Sequence, residues 1–275
     1  ARRRLRAVGK ASARFREDPL RILRAARLAA TLEFDLDEDV TTAMTALCKE
    51  IGAVARERVR RELALLLLAT GSARGLKLLR HTGVEADLAP GTASDAAAVV
   101  PSLPGELDLR LAGWLRGTSA EGILRRLRFP HRTTRHVAHL LRHHPIEASV
   151  HPKRDVEVRR LIRRVGDDDL EWLFALREAE IDAAGATAAG ETAREAVHAL
   201  RTAIERVRRS GALALRRFDL AIDGGDVMTA LGCGPGRDVG LALRYLTEQV
   251  IEDPERNTPE RLLVLLRTWW AERHL

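Results

Sequence analysis

Leucine, isoleucine, valine and alanine recur along this chain at spacings of three and four. No run of β-branched and aromatic residues alternates as a half-buried strand would. That period predicts an all-α fold. A first helix is expected from Asp18-Pro19, with Asp as N-cap and Pro at the favoured first position, through Leu20, Leu23 and Leu28. After a turn at residues 33–37, helices follow over about Glu38 to Cys48, Ala53 to Ala69, and a segment carrying Leu76, Leu78 and Leu79 that stops near Gly83. Further helices are expected at Leu107 to Leu115, Ser119 to Leu127, Thr133 to His143, Val156 to Val165, Asp169 to Asp182, Thr192 to Arg209, Val239 to Ile251 and Pro259 to His274.

Between these periodic stretches the chain changes character. Residues 86–105, ADLAPGTASDAAAVVPSLPG, hold three prolines with Gly, Ser and Ala and read as a linker. A second soft stretch runs from Ala183 to Glu191, and Gly-rich turns lie around Gly224 and from Gly232 to Gly236. The expected regions are 1–88, 89–190 and 191–275, with no fixed-period repeat.

Charge changes the picture more than bulk composition does. Charged residues make up 31% and hydrophobic ones 45%, which excludes a disordered tail as the dominant class. The net charge is +7, and residues 1–30 alone hold ten basic and two acidic side chains. The basic excess is therefore concentrated at one end, which points to a polyphosphate or nucleic-acid partner. A base-composition bias explains the choice of Arg over Lys better than it explains that clustering. The longest purely apolar stretch, Leu63 to Ala69, is far below the roughly 20 residues of a membrane span. Two cysteines without metal-ligand spacing, Cys48 and Cys233, and no visible secretory signal favour the cytoplasm.

The segment RFREDPLRILRAARLAATLEF places Asp18, Arg21, Arg24 and Arg27 at three-residue intervals, a slowly winding polar stripe on a helix. A carboxylate with two acceptors beside a guanidinium with several donors has the groups needed to read the edge of a base, while Arg24 and Arg27 suit phosphate oxygens. Taken alone, the same spacing also makes an ordinary i,i+3 salt bridge with solvated arginines. His131, His136, His139, His143 and His144 share helical spacing that could hold a metal. No carboxylate lies between Gly122 and Ile146, however, whereas Arg125, Arg126, Arg128, Arg132, Arg135 and Arg142 do, which favours a basic RNA-facing surface. GCGPGRDVG lacks the Lys of a Walker loop. It reads as a turn whose amides at Gly234 and Gly236 could hold an RNA phosphate, or as a tight turn with Gly240 serving helix packing. Asp167-Asp168-Asp169 reads as an N-cap with favourable dipole charges.

RFREDPLRILRAARLAA resembles the EDxxR motif region that opens the neck of bacterial class II tRNA nucleotidyltransferases and poly(A) polymerases. ARERVRREL is similar to the family's ERxxxEL motif, and GLKLLRHTGV to its next helix. LRLAGWLRG with ILRRLRFPHR, then VRRLIRRVG with LFALREAEIDA, resemble the body, and the segment from Asp219 to Leu263 resembles the tail. The resemblance implies an elongated all-α arrangement of neck (1–88), body (89–190) and tail (191–275), the tail binding RNA. It also implies that Asp18 and Arg21 pair with incoming CTP or ATP, that Arg24 and Arg27 add nucleotide contacts, and that Glu17, Glu57, Arg58 and Glu62 support the neck. The implied partners are tRNA or another RNA 3′ end, CTP and ATP, with no membrane.

The sequence departs from that family in two places. The family's catalytic head, with its Gly-rich motif and the two carboxylates that bind Mg2+, would precede residue 1, and nothing here replaces it. No catalytic residue and no metal ligand are therefore expected in these 275 residues, and the chain alone is expected to be inactive. The opening on Ala suggests a truncated segment, with a head on another chain as the alternative, and loss of the head would leave a non-catalytic RNA-binding module. Where relatives with a phosphohydrolase body read His-Asp, this chain has Arg116-Gly117.

Overall fold

The structure, a computed structural model, describes residues 3–210 and 220–273. Asp219, which opens the tail-like segment, and His274, the expected end of the last helix, lie outside those residues. The fold is all-α, as the periodicity predicts. Among the described residues the only strands are two parallel two-residue pieces, Arg4–Leu5 and Asp35–Leu36. No helix among them is long and apolar enough to cross a membrane.

The chain forms two compact units, residues 1–145 with 171–194, and residues 146–170 with 195–275. In the first, α1 (Ala11–Glu17) leads into α2 (Leu20–Leu32), then α3 (Glu38–Ala46), α4 (Arg56–Leu68), α5 (Ser72–His81) and α6 (Val84–Leu88). Helix α2 packs against α4 and α5 and buries Leu20, Ile22, Leu23, Ala26, Ala29 and Ala30 on one face. Each large side chain on that face contributes roughly 1.5–3 kcal/mol, so Leu23→Ala alone would open a costly cavity. Gly71 permits the α5 contact, because a Cβ there would lie 2.5 Å from the carbonyl oxygen of Ala30.

Residues 86–105 are not a linker. Helix α7 (Ala96–Ser102) forms there, buries Ala96, Val99 and Val100, and packs between α5 and α8 (Leu107–Trp114). The alanines that weaken the apolar signal let α7 approach closely, and Pro101 sits near its end. Position 88 accordingly lies inside the first unit. Helices α9 (Ala120–Arg126) and α10 (His131–Arg142) pack on one another, and α10 also packs on α8.

In the second unit α14 (Gly224–Leu231), α15 (Arg237–Glu252) and α16 (Pro259–Arg273) close around Val227, Leu243, Leu246, Val250, Leu262 and Leu266, and α11 (Asp155–Val165) packs on α15. Helices α12 (Asp167–Ala183) and α13 (Ala188–Arg209) each contribute to both units. Asp167, Asp168 and Asp169 occupy the first turn of α12, where the helix dipole favours them. Gly224 is not in a turn. It starts α14, because Asp223 accepts from the amides of Gly225 and Asp226 while Asp226 caps back, completing a capping box.

Candidate functional site

The expected nucleotide-reading stripe is assembled from two helices. Asp18 stands in the break between α1 and α2, where its Oδ1 accepts the Leu20 amide at 3.2 Å. Because Asp18 is not on the helix face, it does not pair with Arg21. Its Oδ2 instead accepts from Arg58 Nη2 at 3.0 Å, and Arg21 Nη1 reaches Glu17 at 3.1 Å. Glu17 also accepts from Arg14, so this exposed carboxylate is shared by two arginines.

Helix α4 supplies the rest. Val59, Leu63, Leu66 and Leu67 bury its apolar face, while Arg58 and Glu62, four residues apart, project together toward α2. Glu62 is nearly buried, its side chain 8% exposed, and its two oxygens accept from Arg24 Nε at 2.9 Å and Arg27 Nε at 2.7 Å. The arginines expected to be solvated on a single helix are thus held across two helices by one carboxylate. Burial opposes ionisation of Glu62, but the two arginines outweigh it and hold its carboxyl below the usual range. For Asp18 burial likewise opposes ionisation and is outweighed by the Leu20 amide and Arg58. With Glu17, Asp18 and Glu62 each engaged by arginine, this set of carboxylates does not fit a magnesium ion.

Two grooves flank the stripe. One of about 460 Å³ is bordered by Arg14, Arg21 and Arg24 and walled by Phe15, Leu28 and Leu36. The other, about 550 Å³, lies against α4, where Glu57 stands at its edge beside Arg58, Arg60 and Arg61. Sequence reasoning missed Arg14, Arg60 and Arg61. Arg60 and Arg61 sit inside the ERxxxEL-like segment, but what they face lies about seventy residues further along the chain, where Arg60 donates to the Arg128 carbonyl.

The expected RNA-facing arginines are differently disposed. Arg125 pairs with Glu121 within α9, and Arg126 donates to the Leu88 carbonyl at the end of α6. Arg128 has a left-handed backbone, φ 59°, and is exposed, as are Arg132 and Arg135. The histidines find carboxylates from distant segments: His136 contacts Asp108 at 2.9 Å and lies against Trp172, and His144 contacts Glu180 at 3.0 Å. His139 and His143 meet edge to face. Arg116, at the place of the relatives' His-Asp pair, is buried against Asp95 and Glu180, and Gly117 has φ 78°. His144, Arg177 and Arg116 together hold the Glu180 carboxyl down to about 2 against the opposing effect of burial.

Gly236 stands before α15, and Gly234 and Gly236 open onto free space. Asp238 already supplies an anion in the first turn, which works against a phosphate there. A Cβ on Gly240 would meet nothing within 4 Å, so helix packing does not require that glycine.

Comparison with known proteins places this arrangement. A family profile described as "Probable RNA and SrmB- binding site of polymerase A" matches residues 33–95, the stretch that contains α4 and Glu62. The CCA-adding enzyme of Streptococcus gordonii is 44% identical over 79 residues, which is 29% of this chain and 20% of that protein. The structure of the Bacillus stearothermophilus CCA-adding enzyme in complex with CTP superposes with a TM-score of 0.72 at 25% identity, over 99% of this chain and 67% of that one. Over these matched stretches the chain is similar to the CCA-adding enzymes. A second CCA-adding enzyme, from Thermotoga maritima and complexed with tRNA, shares the fold with a TM-score of 0.56 at 16% identity, over 97% of this chain and 64% of that one. The stretch aligned to the curated CCA-adding enzyme thus spans about a fifth of its length.

Proposed function

We propose that this chain is the nucleotide-selecting and tRNA-binding part of a CCA-adding tRNA nucleotidyltransferase, which transfers nucleotides from CTP and ATP to an RNA 3′ end in the cytoplasm. One observation carries the reading: residues of two separate motif-like segments converge, with Arg58 on Asp18 and Glu62 on both Arg24 and Arg27. The guanidinium donor Arg21 and its neighbour Arg24 border one groove, and the carboxylate acceptor Asp18 stands at the start of the same helix.

In this state Asp18 and Arg21 are each held by another partner. Arg58, Arg21 and Glu17 in those contacts are close to half exposed, so an incoming base can replace them at little cost. Arg24 and Arg27, fixed through Nε, keep their outer nitrogens for the triphosphate. The magnesium ions that nucleotidyl transfer requires would sit on a catalytic head, in the same chain or on another, and the chain without it should not incorporate labelled CTP or ATP. The neck (1–88), body (89–190) and tail (191–275) then divide nucleotide reading from RNA binding. The profile's reference to polymerase A favours one second reading, a poly(A)-adding relative.

The test restores a head and sets CTP, ATP, UTP and GTP in competition. Asp18→Ala and Arg21→Ala should each cost roughly ten- to a hundred-fold in selective incorporation, with melting unchanged. A folded double mutant that discriminates as well as the parent would remove the template assignment.

A further inference from the structure

The groove against α4 is given no part in reading a base, yet three arginines converge on it. Arg58, Arg60 and Arg61 line it against a single carboxylate, Glu57, with Thr133 opposite and the apolar wall supplied by Leu107 and Phe129. Arg60 is held in place by the Arg128 carbonyl. Arg61 is exposed and has no hydrogen bond or ion pair among the described residues. Apolar walls lower the local dielectric and strengthen any pairing made there. Converging guanidiniums with a hydroxyl nearby fit the oxygens of a phosphate. Arg128 and Arg132, exposed around the start of α10, extend the positive surface outward as a polymer backbone would require.

Arg58 belongs to both places. The guanidinium that lines this groove is the one that holds Asp18 Oδ2, and its side chain is 50% exposed, so it can turn from one to the other. Asp18 would then keep the Leu20 amide on Oδ1 and have Oδ2 available.

We propose that the groove takes a backbone phosphate of the RNA strand, and that its occupancy draws Arg58 off Asp18, so that bound RNA unmasks the base-reading carboxylate. This rests on the reading that the chain binds RNA, and it adds where one phosphate sits and how that contact reaches the nucleotide site.

The experiment measures binding of a fluorescent acceptor-stem minihelix with a single-stranded 3′ tail to the full chain across a salt series. Arg61→Gln should lower affinity at least about threefold and reduce the log-log salt slope by a little under one, the signature of one lost phosphate contact. Asp18→Asn should raise RNA affinity by up to about fivefold, the equilibrium equivalent of an exposed ion pair that no longer competes for Arg58. That gain should vanish in an Arg58→Gln background, which separates release of Arg58 from the general effect of removing a negative charge. Thermal melts identify any variant that fails to fold, and Arg61→Lys, which keeps the charge, should retain the slope. An unchanged slope in Arg61→Gln, or an Asp18→Asn gain that persists without Arg58, overturns the inference while leaving RNA binding intact. A chain that does not bind the minihelix at all overturns the proposed function with it. With inorganic phosphate or CTP as the probe, a loss confined to those and absent for RNA also overturns it.

Discussion

Arg21, Arg24 and Arg27 of α2 and Arg159, Arg160 and Arg163 of α11 are two runs of the same side chain at helical spacing, put to different use. In the second unit Arg159 is buried and donates to the carbonyls of Ile251, at 2.6 Å, and Glu252, at 3.1 Å. Those carbonyls end α15, where helix geometry leaves them without partners, so Arg159 acts as a C-terminal cap. Arg160 and Arg163 tie the same two helices together through Glu252 and Glu248. In the first unit the arginines reach side-chain carboxylates, and Arg21 and Arg24 stay close to half exposed. A guanidinium on buried backbone carbonyls is fixed, since its departure orphans them. Arg21, on the exposed carboxylate of Glu17, can exchange it for a ligand. Spacing alone does not separate the two roles; the partner does.

The contrast can be broken most forcefully at Arg159. Arg159→Ala should destabilise the second unit by about 3 kcal/mol, read as a lower urea midpoint at unchanged slope, whereas Arg21→Ala should cost under about 1 kcal/mol. Equal losses would erase the distinction.

Glu180 offers a test by pH. Its carboxyl is lowered from 4.5 to about 2, so its contribution is fully present above about 4.5 and disappears as pH falls toward 2. The shift corresponds to at most about 3 kcal/mol, reduced because the side chain is 28% exposed. Glu180→Gln should therefore melt lower than the parent at neutral pH, and the two melting curves should converge near the acid end. Parallel curves would assign the acid sensitivity elsewhere.

Glu62→Ala should cost about 2 kcal/mol, because it leaves Arg24 and Arg27 without their shared acceptor. With a head present it should depress CTP and ATP incorporation together, leaving their ratio near the parent's. A change in the ratio would move Glu62 from positioning into base choice. The smallest effect belongs to Arg125, whose pairing with Glu121 is a surface i,i+4 contact. Arg125→Ala should alter stability by less than about 0.5 kcal/mol while reducing the RNA salt slope if the residue touches phosphate.

The helices with a strong apolar face were legible in the sequence, from the first turn of α2 to α16, because burial and period coincide there. Helices α1, α6, α7 and α14 were not. α1 spans only Ala11–Glu17 with two buried residues, and α7 is built on small alanines with an internal proline. The residues proposed as the template could be named from their segment, but their partners could not. Asp18 finds Arg58 forty residues away, and Arg24 finds Glu62 at a separation of 38. The spacing of Asp18 and Arg21 suggested a direct pair on one helix, and the break between α1 and α2 removed it. The histidines seemed to lack carboxylates for the same reason, since Asp108 and Glu180 come from other parts of the chain.

Gly71 has no charge, no donor beyond its amide and no place in either groove, yet it sets a tolerance for the whole stripe. The main chain of α2 rests against it with no room for a methyl group, so any side chain there must push the helix that carries Arg21, Arg24 and Arg27 away from α5. The bonds of Arg24 and Arg27 to Glu62, at 2.9 and 2.7 Å, leave little slack for such a displacement. The alignment of the arginines is thus mechanically referenced to a backbone contact, and a change at a chemically silent position would reach the proposed nucleotide site as a loss of register.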